Sequence, residues 1–279
     1  MPSTDRIPAL DRDGLAQRLA TAKAAATAAG DALLAHYARR DRLVIDQKGV
    51  NDFVSQADRE AEDIIAAILR PAFPQDGFLG EETGLSGPEA AAAVWCVDPL
   101  DGTTNFLKGA HNWCVSIGLW AGGAPVVGVI HDPVRGETFA AAAGLGATMN
   151  GTPISVTAIA ALDQAAIGVG HNRRVDVDAF TLGLNRLLSR GAGFRQVGAG
   201  ALMLAYVAAG RVDAYAEGHM LPWDAVAGLA LIREAGGALT DYLAGGRSLT
   251  GGGPMIAGSP ALVAEILAVM GETIPARLA

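Results

Sequence analysis

Two cysteines in 279 residues, Cys96 and Cys114, leave no material for a disulfide framework. No CxxC or Cys/His spacing surrounds them, and the five histidines (36, 111, 131, 171 and 219) are scattered, which disfavours a zinc site. Aromatics make up only 5% of the chain, so a core must be built from Ala, Val, Leu and Ile, with 36 glycines turning the backbone between short elements. Basic charge is also scarce. Lys and Arg number 21 against 29 Asp and Glu, and the resulting formal charge of −8 argues against an electrostatic nucleic-acid footprint. Long apolar runs are missing too: the uncharged stretch from Asn112 to Ile130 is broken by four glycines and Pro125, and reads as two strands around a turn at Gly122 and Gly123 rather than a membrane span. Met1 to Ala9 carry Asp5 and Arg6 without an apolar segment, so no secretory signal is read and a cytoplasmic protein is expected. Asn150-Gly151-Thr152 matches a glycosylation sequon, but without secretion it is simply a hairpin turn.

What is present is a chain that is 51% hydrophobic and long enough to bury roughly three quarters of its unfolded surface. No repeat or polar linker interrupts it, so residues 1–279 read as a single domain. Helical spacing covers Leu10 to Tyr37, a short strand is expected at Leu43 to Ile45, and Ser55 can cap a second helix that Pro71 stops at Leu69. The period then changes to short apolar runs at Phe78–Gly80, Val94–Val97, Val115–Leu119, Val126–Ile130 and Thr138–Ala142. The last hundred residues mix strands near Ala166–Val169 and Val212–Ala214 with helices near Val177–Ser189, Ala201–Ala209, Trp223–Ala235 and Pro260–Met270.

The most informative stretch runs from Trp95 to Phe106. A hydrophobic strand delivers Asp98 at its carboxyl end, Pro99 ends the ladder, and Asp101 follows just before Gly102-Thr103-Thr104, which can open a helix. Two carboxylates beside free N–H groups at a helix start suit a phosphate only if divalent cations remove the charge conflict. The plain alternative is that Asp98 and Asp101 make Asx turns and cap a helix. Upstream, Gly80-Glu81-Glu82 ends another strand, and alternation lets only one Glu face the same point. Downstream, Pro222-Trp223-Asp224 opens a helix that stops at Glu234-Ala235-Gly236-Gly237, although a first-turn carboxylate is also favoured by the helix dipole alone. Ser55 and Asp58 fit a capping box. The Asp-Gly-Thr triplet also occurs in haloacid-dehalogenase phosphatases, whose nucleophile lies two residues before that Asp. Here Pro99 holds the position and cannot act. Gly198-Ala199-Gly200 hints at a dinucleotide loop, but Met203 replaces its third glycine.

Taken with Lys48-Gly49, Asn51 to Val54, Asp58, Val115 to Gly118, Asn150-Gly151 and the Glu234 to Gly237 ending, these motifs resemble the inositol monophosphatase family of metal-dependent, lithium-sensitive phosphatases, over almost the whole chain. The resemblance implies an α+β fold, an αβαβα layered sandwich with mixed sheets, assembled as a homodimer. It implies Mg²⁺ as cofactor, a first ion on Glu81, Asp98 and the Leu100 carbonyl, a second on Asp98, Asp101 and Asp224, and a weaker third near Glu81. By the same likeness Thr103 and Asp58 activate the water, with Glu81 beside them in the catalytic set. Gly102 and Thr103 give N–H groups to the phosphate, Asp101 borders it, and Glu217 with Gly198, Ala199 and Gly200 faces the alcohol.

The implied activity is hydrolysis of a phosphate monoester by direct attack of water, inositol 1-phosphate first and histidinol phosphate second, with sugar or nucleotide bisphosphates further off. A regulatory binding protein on the same platform is the alternative from another class. No nucleic-acid or membrane partner is expected. Departures cluster at the substrate end: Gly170-His171-Asn172-Arg173-Arg174 is bulkier and more cationic than the family's small loop, Leu221 stands where a polar residue is common, and Gly200 where Ala is.

Overall fold

Asp11 accepts the Gly14 N–H at 2.8 Å and caps the first helix, α1 (Arg12–Tyr37). Its buried face is small, formed by Ala22, Ala25, Ala26 and Ala29 with Leu15 and Leu33, so a second helix can lie close against it. The structure, a computed structural model, describes residues 10–42, 45–49 and 52–274, with side chains from 42 to 55 outside that set. The expected strand at Leu43 to Ile45 therefore lies partly outside the described residues, as do the Ser55 cap and the side chains of Lys48 and Asn51 to Val54. From Ile45 the backbone forms an antiparallel hairpin, β1 (Ile45–Gly49) with β2 (Asp52–Ser55).

The second helix, α2 (Gln56–Ala72), runs past the expected stop at Leu69 and through Pro71. Pro71 stands in the last turn, where its missing N–H costs a single bond, and the Phe73 N–H still reaches the Leu69 carbonyl at 2.9 Å.

Short strands follow: β3 (Gly77–Gly80), β4 (Gly84–Ser86), β5 (Ala93–Asp101), then helix α3 (Thr103–Lys108), and β6 (Cys114–Ala121), β7 (Ala124–Asp132), β8 (Glu137–Ala142), β9 (Gly146–Met149) and β10 (Thr152–Pro153). They form one sheet in the order β10-β9-β8-β7-β6-β5-β3-β4, antiparallel throughout except for β3 with β5. Turns fall where glycine pairs predict them: Gly122-Gly123 joins β6 to β7, and Asn150-Gly151, both at positive φ, joins β9 to β10.

Pro99 does not end its strand. The pairing Asp98 with Ser116 resumes as Asp101 with Cys114, so three residues on β5 span two on β6, and the proline sits in a bulge that the ladder survives.

The remaining elements are β11 (Ala166–Gly170), α4 (Val177–Ser189), β12 (Gly193–Arg195), α5 (Gly200–Ala208), β13 (Ala214–Met220), α6 (Pro222–Glu234), β14 (Ala238–Leu239), β15 (Gly253–Gly258) and α7 (Pro260–Met270). The second sheet has the order β12-β11-β13-β15-β14, with β11 parallel to both neighbours and β15 antiparallel to β13 and β14. β15 has no counterpart in the sequence reading, because Pro254 and its flanking glycines mask an apolar core strand. Helices α1 and α2 cover one face of the first sheet, α5 and α6 fill the space between the sheets, and α4 and α7 cover the far face of the second. This is the expected αβαβα sandwich with mixed sheets.

Two glycines set the depth at which α6 lies on the first sheet. A Cβ on Gly118 would stand 2.5 Å from the Ala227 amide nitrogen, and one on Gly128 would stand 2.1 Å from the Ala227 carbonyl oxygen. Backbone cannot give way as a side-chain tip can. Gly128→Ala is expected to destabilise the fold by about 3 kcal/mol, read as a lower midpoint in urea with an unchanged slope.

Candidate active site

The cavity that receives the carboxyl ends of β5 and β13 has a volume of about 710 Å³ and is lined by Glu81, Asp98, Leu100, Asp101, Gly102, Thr103, Gly198, Ala199, Gly200, Glu217 and Asp224. Of the site residues expected from sequence, Asp58 alone is outside that wall. It lies behind it, 1% exposed, where the Thr103 hydroxyl meets its Oδ1 at 3.2 Å.

Each carboxylate arrives by a different device. Asp98 rides the end of β5 and accepts the Leu100 N–H at 2.8 Å across the Pro99 bulge. That bond turns the Leu100 carbonyl toward Thr103, whose hydroxyl donates to it at 3.0 Å. Glu81 follows β3, its N–H extending the parallel ladder to the Val97 carbonyl at 3.0 Å. The turn beyond is held by Glu62, a buried carboxylate of α2 that accepts the N–H groups of Glu82 and Thr83 at 2.9 and 3.0 Å. Gly80 makes room for it, since a Cβ there would meet the Glu62 carboxylate at 2.4 Å. Between the two acidic neighbours, Glu81 takes the cavity and Glu82 does not. Asp224 sits in the first turn of α6 behind Pro222, and Ser116 donates its hydroxyl to the Trp223 carbonyl at 2.8 Å, tying that turn to the strand opposite Asp98.

Asp101 does more than expected. Its carboxylate accepts the N–H of Gly200 at 3.1 Å and of Leu202 at 3.2 Å, so it caps α5, whose own N-cap residue Ala199 offers no side chain for the purpose. The capping alternative weighed for Asp101 is thus real, though the helix it caps is 99 residues away and not the adjacent α3.

Gly102, the residue before α3, has φ +91, and a Cβ on it would stand 2.7 Å from the Asn112 carbonyl. Asn105 fastens the cavity rim by donating to the carbonyls of Asn112 and Val197 at 2.7 and 2.8 Å.

Burial raises Asp98 and Asp224 well above the usual carboxylate range, and the neighbouring charges, Glu81 among them, push further. Asp224 is itself among the charges that raise Asp98. Asp101 is raised by the same burial, but the α5 amides oppose the shift. Glu217 is pushed up to about 7 by burial, against the hydrogen bonds it accepts from the Tyr215 hydroxyl at 2.6 Å and Asn172 at 2.9 Å. Among the described residues no three His, Cys, Asp or Glu side chains already stand close enough to hold a cation. Their chemistry nevertheless fits one: the donors are hard oxygens, and the burial and mutual repulsion that raise Asp98 and Asp224 are what an outside positive charge would relieve.

Glu62 and Tyr215 were not anticipated; Ser116, Asn105 and Asn172 stood in the motifs read from sequence, but without these roles. Glu62 lies one helical turn after Asp58 and Tyr215 two residues before Glu217, so helix and strand periodicity could have found both. Asn172 carries no such signal, because only the folded loop brings it to Glu217.

The fold and this cavity define a phosphatase-type architecture, and the sequence pattern of the Inositol monophosphatase family matches residues 15–273: the chain belongs to that family. It is 41% identical over 255 residues to "Inositol-1-monophosphatase" of Mesorhizobium japonicum, covering 91% of this chain and 96% of the relative. It is 39% identical over 252 residues to "Nus factor SuhB" of Escherichia coli K12, covering 90% and 94%. Among solved structures, extragenic suppressor protein suhB from Bartonella henselae matches with a TM-score of 0.85 at 37% identity, covering 91% of this chain and 98% of that one. Inositol monophosphatase from Anabaena matches with a TM-score of 0.78 at 34% identity, covering 92% and 96%.

Removing one repelling charge should stabilise the protein in chelator. Asp224→Asn is expected to raise Tm by about 2–6 °C, whereas Asp101→Asn should lower it, because an amide NH₂ cannot accept from the α5 amides. The folded wild type holds protons that the unfolded chain has released, so its stability in chelator should fall as pH rises through the raised values of Asp98 and Asp224, and less so in Asp224→Asn. Differential scanning calorimetry between about pH 5 and 7 checks both.

Proposed function

We propose that the chain is a Mg²⁺-dependent phosphomonoesterase acting on a small, hydroxyl-bearing alcohol phosphate, with inositol 1-phosphate as the reference substrate. The observation that carries this reading is the delivery of Glu81, Asp98, Asp101, Asp224 and the Leu100 carbonyl to one cavity wall beside Gly102 and Thr103. When bound there, Mg²⁺ supplies Lewis acidity toward the phosphate and a lowered pKa for water.

The residues of the chain do the rest. Glu81, Asp98 and the Leu100 carbonyl would hold one ion, and Asp98, Asp101 and Asp224 another, the α5 amides aiming Asp101 and opposing the rise that burial gives it. The Thr103 hydroxyl, 3.2 Å from Asp58 and 3.0 Å from the Leu100 carbonyl, can take a proton from the attacking water as it passes its own to the Asp58 carboxylate. The backbone amides of Gly102 and Thr103 receive the phosphate oxygens. On the far wall Glu217 reads a hydroxyl or amine of the leaving group, its orientation fixed by Tyr215 and Asn172.

A second reading is favoured by one observation, that relatives of similar identity carry the name Nus factor: the chain would then be a regulatory protein on this platform. Turnover decides between them. With Mg²⁺, wild type should hydrolyse an aryl phosphate and inositol 1-phosphate, and chelator should abolish both. One turnover in ¹⁸O-labelled water should place the label in released phosphate, while a trapped aspartyl phosphate at Asp98 or Asp101 would overturn direct water attack.

Glu217→Gln should cost about 10- to 100-fold in kcat/KM on inositol 1-phosphate or histidinol phosphate, about 1–3 kcal/mol, and much less on an aryl phosphate that offers no group to read. An equal loss on all three would move Glu217 into the catalytic shell.

A further inference from the structure

The loop after β11 reads Gly170-His171-Asn172-Arg173-Arg174, and all five residues line the cavity. It leaves the second sheet at Gly170, which pairs with Glu217, so it belongs to the wall across from the first-sheet carboxylates. The loop is pinned. Asn172 donates to Glu217 Oε1 and to the His219 carbonyl, and its own oxygens accept the N–H groups of Arg174 at 2.9 Å and Val175 at 3.1 Å. His171 packs on Phe180 with ring centroids 4.5 Å apart.

The two guanidinium groups thus project from a fixed base, yet among the described residues neither side chain has a hydrogen-bond or ion-pair partner. The neighbouring Asp176 spends its carboxylate on the Ala179 N–H at 2.9 Å. Burial lowers His219 against its hydrogen bond with the Gly251 carbonyl at 3.0 Å, and the charges of Arg174 and Arg247 act on it in the same direction as burial. Two unmatched cations facing a cavity of about 710 Å³, whose other wall is acidic, call for an anion that is not the phosphate under attack.

We propose that Arg173 and Arg174 form a subsite for a second anionic group on the leaving alcohol, so that the preferred substrate is a phosphomonoester bearing a further phosphate or carboxylate. This rests on the phosphatase reading and narrows it, because inositol 1-phosphate offers no such group. Guanidinium pairs bind both anions in the same forked geometry, and the probes below tell them apart.

The test compares wild type with the Arg173→Gln, Arg174→Gln double variant on glycerol 2-phosphate, 3-phosphoglycerate and fructose 1,6-bisphosphate. The ratio of kcat/KM for an anion-bearing ester to that for glycerol 2-phosphate should fall by about 10- to 100-fold in the variant. A fall with 3-phosphoglycerate alone points to a carboxylate, a fall with the bisphosphate alone to a second phosphate. An unchanged ratio for both overturns the subsite. Calorimetric Kd values for the same three esters, with Ca²⁺ in place of Mg²⁺, separate this result from the parent reading. If wild type hydrolyses none of them, Kd decides alone: at least tenfold weaker binding of an anion-bearing ester to the variant upholds the subsite, and equal Kd values overturn it; the phosphatase reading itself falls only if inositol 1-phosphate and an aryl phosphate are also left intact.

Discussion

Burying like charges beside one another is the constraint that organises this molecule. Asp98 and Asp224 stand on different elements, in a wall where burial and mutual repulsion both oppose ionisation. No flexible loop could hold such an arrangement, since the groups would swing to solvent. The chain uses a strand bulge at Pro99, a serine clamp from Ser116 to the first turn of α6, and a turn strapped to Glu62. Gly118 and Gly128 belong to the same economy, because α6 presents Asp224 only if it lies directly on the sheet backbone.

Much of this was legible in residue order. The apolar run ending at Asp98, the Asp-Gly-Thr sequence and the Pro-Trp-Asp helix start name three carriers of the cavity wall, and most strands and helices around them fall within about four residues of their expected places, whereas the strand expected at Val212–Ala214 is Ala214–Met220. Errors came where a local rule met a tertiary one. Pro99 should end a strand by its missing N–H, but the bulge places that gap where the ladder skips a residue. Pro71 should end a helix, but in the last turn there is little left to break. β15 reads poorly from Gly253 and Pro254 and is still a central strand, because burial between β13 and β14 outweighs propensity.

The two walls of the cavity differ in how readable they are. The first-sheet wall is written in short contiguous motifs, because strand ends and helix starts deliver their side chains directly. The second-sheet wall depends on Asn172 meeting Glu217 across 45 residues, and on Tyr215 orienting the same carboxylate from within its own strand. The Asn172 contact leaves no spacing to detect, whereas Tyr215 follows the two-residue period of its strand. The wall that carries Glu217 is therefore the part of the cavity that residue order describes least.

Asp101 has a bearing on how descent should be read from such sequences. Its carboxylate starts α5, a helix wedged between two sheets, whether or not any phosphate is ever handled. A descendant that had retired from chemistry would still be selected to keep that aspartate and the glycine behind it, simply to stay folded. Persistence of the Asp-Gly-Thr signature is therefore poor testimony to turnover. Asp224, a buried carboxylate raised by its neighbours and placed in the first turn of its own helix, is the residue whose drift would mark a pensioned enzyme.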